Sequence, residues 1–380
     1  MTRLIPPSLA QFCVPAGLSG PMPVDQSAPA DMPSVVTAFF DTGRAGWRVR
    51  GGESSRFRRD AQDYLAAFER LARLKNPMVI FTEPRFADAV LAARRAAGLI
   101  EQTRVFTIDC LFEAPPVAAL LRAIAARMTP RFRRFVWQPD LPEFNEARYV
   151  GLVCMKQVFV TTAIELGAVA TEETAWLDFG YCRKDDHFDP AEPWRFDAGG
   201  RMNLFHIVVL DETPIYEVVR SGMTWFLANQ MIGPTSVWAD YADDLDAALQ
   251  ALVACDLVDD EQTLMFIAWR AAPEKYRLHP LPPMGWFSTL QIYRTGAPPP
   301  AIVPSRGKVH ANGPAWWQEF LVAFKRERRR LKALARLALG WNDARVRSAE
   351  KSNRSSGAAP VMFNQLPRPR RPSWRAPRKD

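Results

Sequence analysis

The stretch Trp176-Leu177-Asp178-Phe179-Gly180-Tyr181 decides how this chain is read. The short apolar run Ala175–Leu177 predicts a strand that ends in one carboxylate and turns at a glycine. In open α/β sheets ligands bind outside the carboxyl ends of the strands, so such a strand end puts Asp178 where a ligand would sit. Asp and Gly are also ordinary turn formers, and taken alone the string is equally a plain turn. Its setting favours a site: a long amphipathic segment precedes it, and an acidic helix start, Asp259-Asp260-Glu261-Gln262, follows it. The Asp-Phe-Gly tripeptide is not that of a protein kinase. No Gly-rich loop precedes a Lys-bearing strand, and none of the four histidines (His187, His206, His279, His310) precedes Arg-Asp.

Working outward, strands and helices alternate. Ser34–Phe40, Met78–Phe81 and Arg104–Ile108 read as strands, separated by helical periodicity over Arg56–Leu74 and Arg85–Ala97 and followed by a helix over Pro116–Met128. Asn145–Leu166 reads as helix leading to the Asp178 strand. Met202–Leu210 and Ile215–Val219 read as strands around Pro214, Ser236–Cys255 and Asp260–Arg270 as helices, and Lys275–Leu278 as a last strand. Such alternation predicts an α/β fold, a mostly parallel sheet flanked by helices.

At 380 residues, with 48% apolar and 24% charged residues, the chain has the composition of a globular protein with a large core. Five scattered cysteines without a Cys-x-x-Cys argue for reduced thiols and against a disulfide frame or structural zinc. No apolar run reaches membrane-spanning length. Residues 325–380 carry 17 Lys/Arg against 4 Asp/Glu, a net +13, which leaves −5 for residues 1–324 out of the total of +8. The organisation expected is therefore a Pro-rich, loose N-terminal arm (1–33), an α/β domain (34–314), a basic amphipathic helix (315–340) and a disordered basic tail (341–380).

Candidate functional residues follow from the strand ends. Asp41 and Arg44 end the first strand, and Thr82 and Glu83 the second, where a doubly wound sheet meets a nucleotide; Arg44 suits a phosphate by bidentate bonding, or a surface salt bridge. Lys156, on an otherwise apolar helix face, either snorkels or points into a pocket. Asp259 and Gln262 have capping-box spacing, while Asp260 or Glu261 at that helix start suits a general base. Gly222, taken as following a strand, would let a ligand approach the backbone closely. In nucleotide-sugar transferases of the GT-A type a short acidic motif at a strand end holds a divalent metal against the donor diphosphate. On that comparison Asp178 is a candidate ligand for Mn or Mg, Gly180 stands where a second acid would be, and His279, before Pro280, is the candidate second ligand, or else a loop histidine.

The pattern resembles the HtrL/YibB family, bacterial proteins associated with lipopolysaccharide core regions and related to GT-A-like glycosyltransferases. The resemblance rests on Val36-Thr37-Ala38-Phe39-Phe40-Asp41 with Gly43-Arg44, on Asn76-Pro77-Met78-Val79-Ile80-Phe81-Thr82, on Tyr149 and Lys156 ahead of Trp176-Leu177-Asp178-Phe179-Gly180-Tyr181, and on Asp260-Glu261-Gln262. It implies a GT-A-like three-layer fold and a glycosyltransferase role in lipopolysaccharide or surface-polysaccharide assembly, with a nucleotide-sugar donor and a glycan or lipid-linked acceptor. A non-catalytic nucleotide- or sugar-binding protein of envelope biogenesis is the alternative. The expected location is cytoplasmic, peripheral at the inner membrane, with residues 316–380 on an anionic membrane surface. A nucleic-acid partner is not expected, since the body is acidic and no nucleic-acid motif is present.

Overall fold

The apolar runs of the sequence assemble into one eight-stranded sheet. The computed structural model describes residues 3–23, 29, 31–47, 59–222, 224–282 and 285–293, all within the first of the chain's two units, Met1–Ala333. The strands are β1 (Val14–Ala16), β2 (Ser34–Phe39), β3 (Met78–Thr82), β4 (Thr103–Thr107), β5 (Glu173–Leu177), β6 (Met202–His206), β7 (Gln230–Pro234) and β8 (Tyr276–Pro280), in the order β1-β4-β3-β2-β5-β7-β6-β8. Pairs β2–β3, β3–β4, β2–β5 and β6–β8 are parallel, whereas β1–β4, β5–β7 and β6–β7 are antiparallel. From β2 the chain steps outward through β3 and β4, then returns to β5 on the other side of β2. The carboxyl ends of β2 and β5 thus flank a topological switch point, the place where open α/β sheets bind ligands.

The helices are α1 (Ala61–Leu71), α2 (Pro84–Ala96), α3 (Pro115–Ala125), α4 (Pro130–Phe135), α5 (Ala147–Val153), α6 (Lys156–Glu165), α7 (Ile215–Ser221), α8 (Trp238–Ala254), α9 (Glu261–Ala271) and α10 (Thr289–Ile292). Side chains alternate across β2: Val36 faces one apolar core and Val35 and Phe39 the other. The first core is closed by α3, α5, α6, α8 and α9, the second by α1 and α2, giving three layers. Buried on both faces, β2 and β3 are largely apolar runs, which is why they stand out in the sequence, whereas β4 (Thr-Arg-Val-Phe-Thr) is buried with only Val105 and Phe106 apolar. Several helix starts have a local cause. Asp60 and Asp63 form a capping box on α1, and α2 and α3 open on Pro84 and Pro115.

Several expectations are corrected. Ile215–Val219 is helix α7, not strand. Ile215, Val218 and Val219 form a helical stripe after Pro214, and Gly222 closes the helix in the left-handed conformation (φ +60°). The helix read over Asn145–Leu166 breaks at Cys154-Met155, where the Gln157 side chain donates to the freed Cys154 carbonyl (2.8 Å). Strand β7 escapes the sequence reading because its Gly233 and Pro234 dilute the strand signal. The N-terminal arm is not loose over its described residues. Leu4 and Ile5 donate their N–H groups to Asp246 (2.9 and 2.7 Å), Leu9 donates to Thr162 (2.9 Å), and the Ile5 and Leu9 side chains are buried. The helix expected over 315–340 and the tail over 341–380 lie outside the described residues. Among the described residues no helix is long and apolar enough to cross a membrane.

Candidate active site

The Asp178 turn is held from three directions. Phe179 drives its ring between Phe68 (4.3 Å between centroids) and Phe39 (5.0 Å), pinning the turn to the second core. The Asp178 N–H donates to the Asn229 carbonyl (2.9 Å), and the Asp178 carbonyl accepts from Tyr181 N–H (2.8 Å). The carboxylate is then aimed by Trp176, two residues back on the same strand face, whose indole N–H donates to Oδ1 (2.9 Å).

The break between α5 and α6 places Lys156 at the start of α6, opposite this turn. Its ammonium uses all three donors: to Asp178 Oδ1 (2.8 Å), to Glu261 Oε1 (2.9 Å) and to the Ala228 carbonyl (2.9 Å). Burial works against the charge, but the two carboxylates more than reverse that effect, and the ammonium is held above its ordinary range. Lys156 is therefore a tie between β5, α9 and the segment before β7, not a snorkelling surface residue. Its donors are spent within the protein.

Glu261 and its neighbours open α9. The N-cap is Asp260, whose side chain accepts from Gln262 N–H (3.1 Å). The capping box expected from Asp259 is absent because Asp259 turns inward, accepting from Asp260 N–H (2.9 Å) and the Thr263 hydroxyl (2.8 Å). Burial, reinforced by their mutual repulsion, raises Asp260 well above the usual carboxylate range, and burial raises Asp259 likewise. Glu261 is raised by burial and partly restored by Lys156. Its second oxygen, Oε2, is buried and accepts no hydrogen bond. A buried acceptor left unpaired costs about 1–3 kcal/mol, so a donor arriving from a ligand would be favoured there.

At the end of β2, Asp41 accepts from Gly43 N–H (2.8 Å), and Gly43 takes the left-handed conformation (φ +79°) that turns the chain into Arg44. Arg44 donates to the Tyr64 hydroxyl, and its guanidinium stands 5.0 Å from the Trp47 ring and 5.7 Å from that of Tyr149. Tyr149 in turn lies in the field of Glu261 and Asp260, which joins the two halves of the site. Beside this, Glu83 accepts from Asp41 N–H (2.7 Å) and from Arg85 (2.6 Å). These residues, with Asp109 and Phe112, line a cleft of about 330 Å³ at the carboxyl ends of β2, β3 and β4.

Three predicted site residues stand elsewhere. His279 is buried on β8 with both ring nitrogens engaged, Nδ1 with the Tyr293 hydroxyl (2.8 Å) and Nε2 with Asn203 (2.7 Å), and its ring stacks on Phe205 (5.2 Å). Burial lowers it to about 4, so it is a neutral core histidine. Thr82 is buried and spends its hydroxyl on the Phe39 carbonyl (3.0 Å). Gly222 is a helix cap packed against Phe144. His279 is accordingly not a partner of Asp178 in a metal set, while the second Asp178 oxygen, on a partly exposed side chain, stays open. Asp178 Oδ1 is taken by Lys156 and Trp176, His279 offers no nitrogen, and among the described residues no group of three His, Cys, Asp or Glu is arranged to hold an ion. Sequence reasoning missed Tyr64 and the carbonyl of Ala228, for which no local pattern exists. It also missed Trp176, which its spacing of two from Asp178 on one strand face could have revealed.

The family model described as a bacterial protein of unknown function (HtrL_YibB) matches residues 32–295. Protein HtrL of Escherichia coli (strain K12) is 28% identical over 273 residues, covering 69% of this chain and 92% of that protein. Among solved structures, the apo crystal structure of mouse xyloside xylosyltransferase 1 aligns with a TM-score of 0.34 and 10% identity, covering 65% of this chain and 84% of that one. With the family model extending over well more than half of its length, the chain belongs to the HtrL/YibB family.

Proposed function

We propose that the protein is a glycosyltransferase that moves a sugar from a nucleotide donor to a hydroxyl of a glycan or lipid-linked acceptor in surface-polysaccharide assembly. The observation that carries this reading is the convergence, at the β2/β5 switch point, of a fixed carboxylate (Asp178), an aromatic-held guanidinium (Arg44) and a buried carboxylate with one oxygen that accepts no hydrogen bond (Glu261). The cleft along Asp41, Glu83 and Arg85 would take the nucleoside, and Arg44 the diphosphate. In the transfer step the acceptor oxygen bonds to the anomeric carbon as the bond from that carbon to the diphosphate breaks. The hydroxyl proton passes to Glu261 Oε2, and the nucleoside diphosphate leaves. Glu261 suits the base better than Asp260, whose carboxylate is committed to capping α9.

The test is release of nucleoside diphosphate from a panel of nucleotide sugars in the presence of candidate acceptors. Glu261→Gln is expected to keep donor binding while lowering turnover about 10²–10⁴-fold, the usual loss for a removed general base. Nucleotide binding with no turnover of any donor would favour a non-catalytic binding protein. Unchanged turnover in the Glu261 variant would move the base elsewhere.

A further inference from the structure

Helix α4 carries positive charge on an otherwise acidic body. Residues 114–139 hold five arginines and no Asp or Glu, whereas residues 1–324 as a whole carry a net −5. Phe132 anchors the helix by turning inward, its ring edge-on to Phe144 at 5.9 Å, and Arg131, Arg133 and Arg134 are left exposed. Phe144 ends the short turn that leads into α5, whose first turn bears the exposed Arg148. The Arg148 guanidinium stands 5.4 Å from the ring of Phe112, which lines the cleft at the carboxyl ends of β2, β3 and β4. Exposed cations thus lead from α4 to the mouth of the cleft. Among the described residues none of these four arginines enters a salt bridge. Three acids, Asp140, Glu143 and Glu146, lie between α4 and Arg148 in sequence. Of these, Glu146 lies in the field of Arg133, and Glu143 acts on the buried Asp259 and Asp260. At the other end of the face, Trp137 N–H donates to the Arg220 carbonyl (2.8 Å), and the Arg220 guanidinium stands 5.8 Å from the Phe135 ring and 5.7 Å from that of Trp137. These contacts seat α7 beside α4. Tyr216, 56% exposed, stands one helical turn before Arg220 on the same side of α7.

We infer that the face made by α4, the start of α5 and Tyr216 receives the acceptor of the transfer, and that this acceptor is an anionic glycan bearing phosphate or carboxylate groups. Calling the ligand an acceptor rests on the glycosyltransferase reading; the anion-binding face does not. A guanidinium matches two parallel N–H donors to the oxygens of a phosphate or a carboxylate. Cations placed on two helices suit charges spaced along a chain better than one compact diphosphate. Tyr216 adds an exposed ring face on which an uncharged sugar can pack. The acidic body repels anions, so a local positive face both draws a polyanion in and decides where it lands. From there Arg148 leads the bound chain to the cleft.

The experiment is titration calorimetry of the full-length protein with oligogalacturonate, which carries carboxylates, and with a mannose oligosaccharide phosphate. The methyl-esterified form of the first and the phosphatase-treated form of the second are the neutral controls. The variant Arg131→Gln/Arg133→Gln/Arg134→Gln is expected to weaken binding of the charged glycan about 10- to 100-fold, a few-fold for each exposed charge pair, and to leave the neutral forms unchanged. The matched variant Arg328→Gln/Arg329→Gln/Arg330→Gln removes the same charge from outside the face and should change binding little. Arg131→Lys/Arg133→Lys/Arg134→Lys keeps the charge and should recover part of the affinity, which separates a lost anion contact from a lost fold. Tyr216→Ala should weaken charged and neutral forms alike. Where a donor is turned over, the α4 glutamine variant should raise the acceptor KM and leave kcat and acceptor-free donor hydrolysis unchanged. Equal losses in the α4 variant and its matched control would overturn the inference, as would charged glycans that bind no better than their neutral forms. An RNA oligomer of equal charge that displaces the glycan through the same arginines at lower concentration would overturn it too, and make the face a nucleic-acid surface. Charged-glycan binding that needs the α4 arginines, with no donor turned over, upholds the face while the glycosyltransferase reading falls. Turnover with an acceptor KM untouched by the α4 variant sinks the inference and leaves that reading standing.

Discussion

Gly180 and Tyr64 are in contact across the turn: a Cβ on Gly180 would meet Tyr64 Cδ1 at 3.1 Å and Cε1 at 3.2 Å. Tyr64 has no slack to give, being stacked on Phe39 (5.0 Å) and bonded through its hydroxyl to Arg44. The position that would carry a second metal-binding acid is therefore filled by an aromatic ring. Gly180→Ala should cost about 1–3 kcal/mol, the usual price of overpacking. Gly180→Asp should cost more and gain no manganese binding. Thermal denaturation with metal titration checks both; a Gly180→Asp protein of unchanged melting temperature that binds one Mn²⁺ would contradict them.

Lys156 is the single cation between two carboxylates of unequal burial, Glu261 with 5% of its side chain exposed and Asp178 with 36%. Removing it strands Glu261 far more than Asp178, which keeps contact with solvent. Lys156→Met should destabilise by about 3–5 kcal/mol, as expected when one partner of a buried pair is lost. The double variant Lys156→Met/Glu261→Gln should recover much of that loss, because the stranded charge is gone. Urea unfolding of the two proteins decides the point. Equal destabilisation would mean that Lys156 acts through its bond to Ala228 rather than through charge.

The local features were legible where one short segment carries its own cause. The both-face burial of β2 and β3 writes an apolar run into the sequence, and the turn after β5 announces itself as Asp-Phe-Gly. The site is different in kind. Lys156 finds Glu261 across 105 positions of sequence, and the break at Cys154-Met155 that aims it is stabilised by a side chain, Gln157, with no helix-breaking signature. His279 looked like a loop or ligand histidine because its hydrogen-bond partners, Asn203 and Tyr293, come from β6 and from beyond α10. Helix α7 was misread because β-branched residues raise the strand signal even when their spacing is helical.

The acidic start of α9 should make stability pH-dependent in an unusual direction. Asp260 is raised by burial first and by Glu261 and Asp259 next. The folded state therefore keeps its proton to higher pH than the unfolded chain does. Unfolding releases that proton, so stability is full below the unfolded value near 3.8 and declines as pH rises towards the folded value. The decline is at most about 1.4 kcal/mol per pH unit for one group. Asp260→Asn keeps an equally good N-cap and removes the titration. Denaturation from pH 4 upward should show a flatter curve and higher neutral stability for the variant. A steeper curve would assign the buried proton elsewhere.

Residues 316–380, outside the described residues, invite a separate test. Residues 325–380 hold a net +13 against −5 for the rest of the chain, and Trp317, Phe320, Phe324, Leu331 and Leu334 are interleaved with the basic residues at helical spacing. Each Lys or Arg near an anionic membrane contributes about 1 kcal/mol, and the aromatic and aliphatic side chains would add apolar insertion. The acidic body opposes both an anionic bilayer and a nucleic acid, but only the bilayer rewards the interleaved apolar residues. Full-length protein is expected to co-sediment with phosphatidylglycerol vesicles at low salt. It should be released near 1 M salt, where the screening length falls to about 3 Å. A chain ending at Phe324 should stay in the supernatant throughout. Added RNA separates the two partners: if it strips the full-length protein from vesicles while neutral vesicles and anionic ones bind alike, the tail is a nucleic-acid arm. Full-length protein that ignores anionic vesicles at low salt would remove the membrane role.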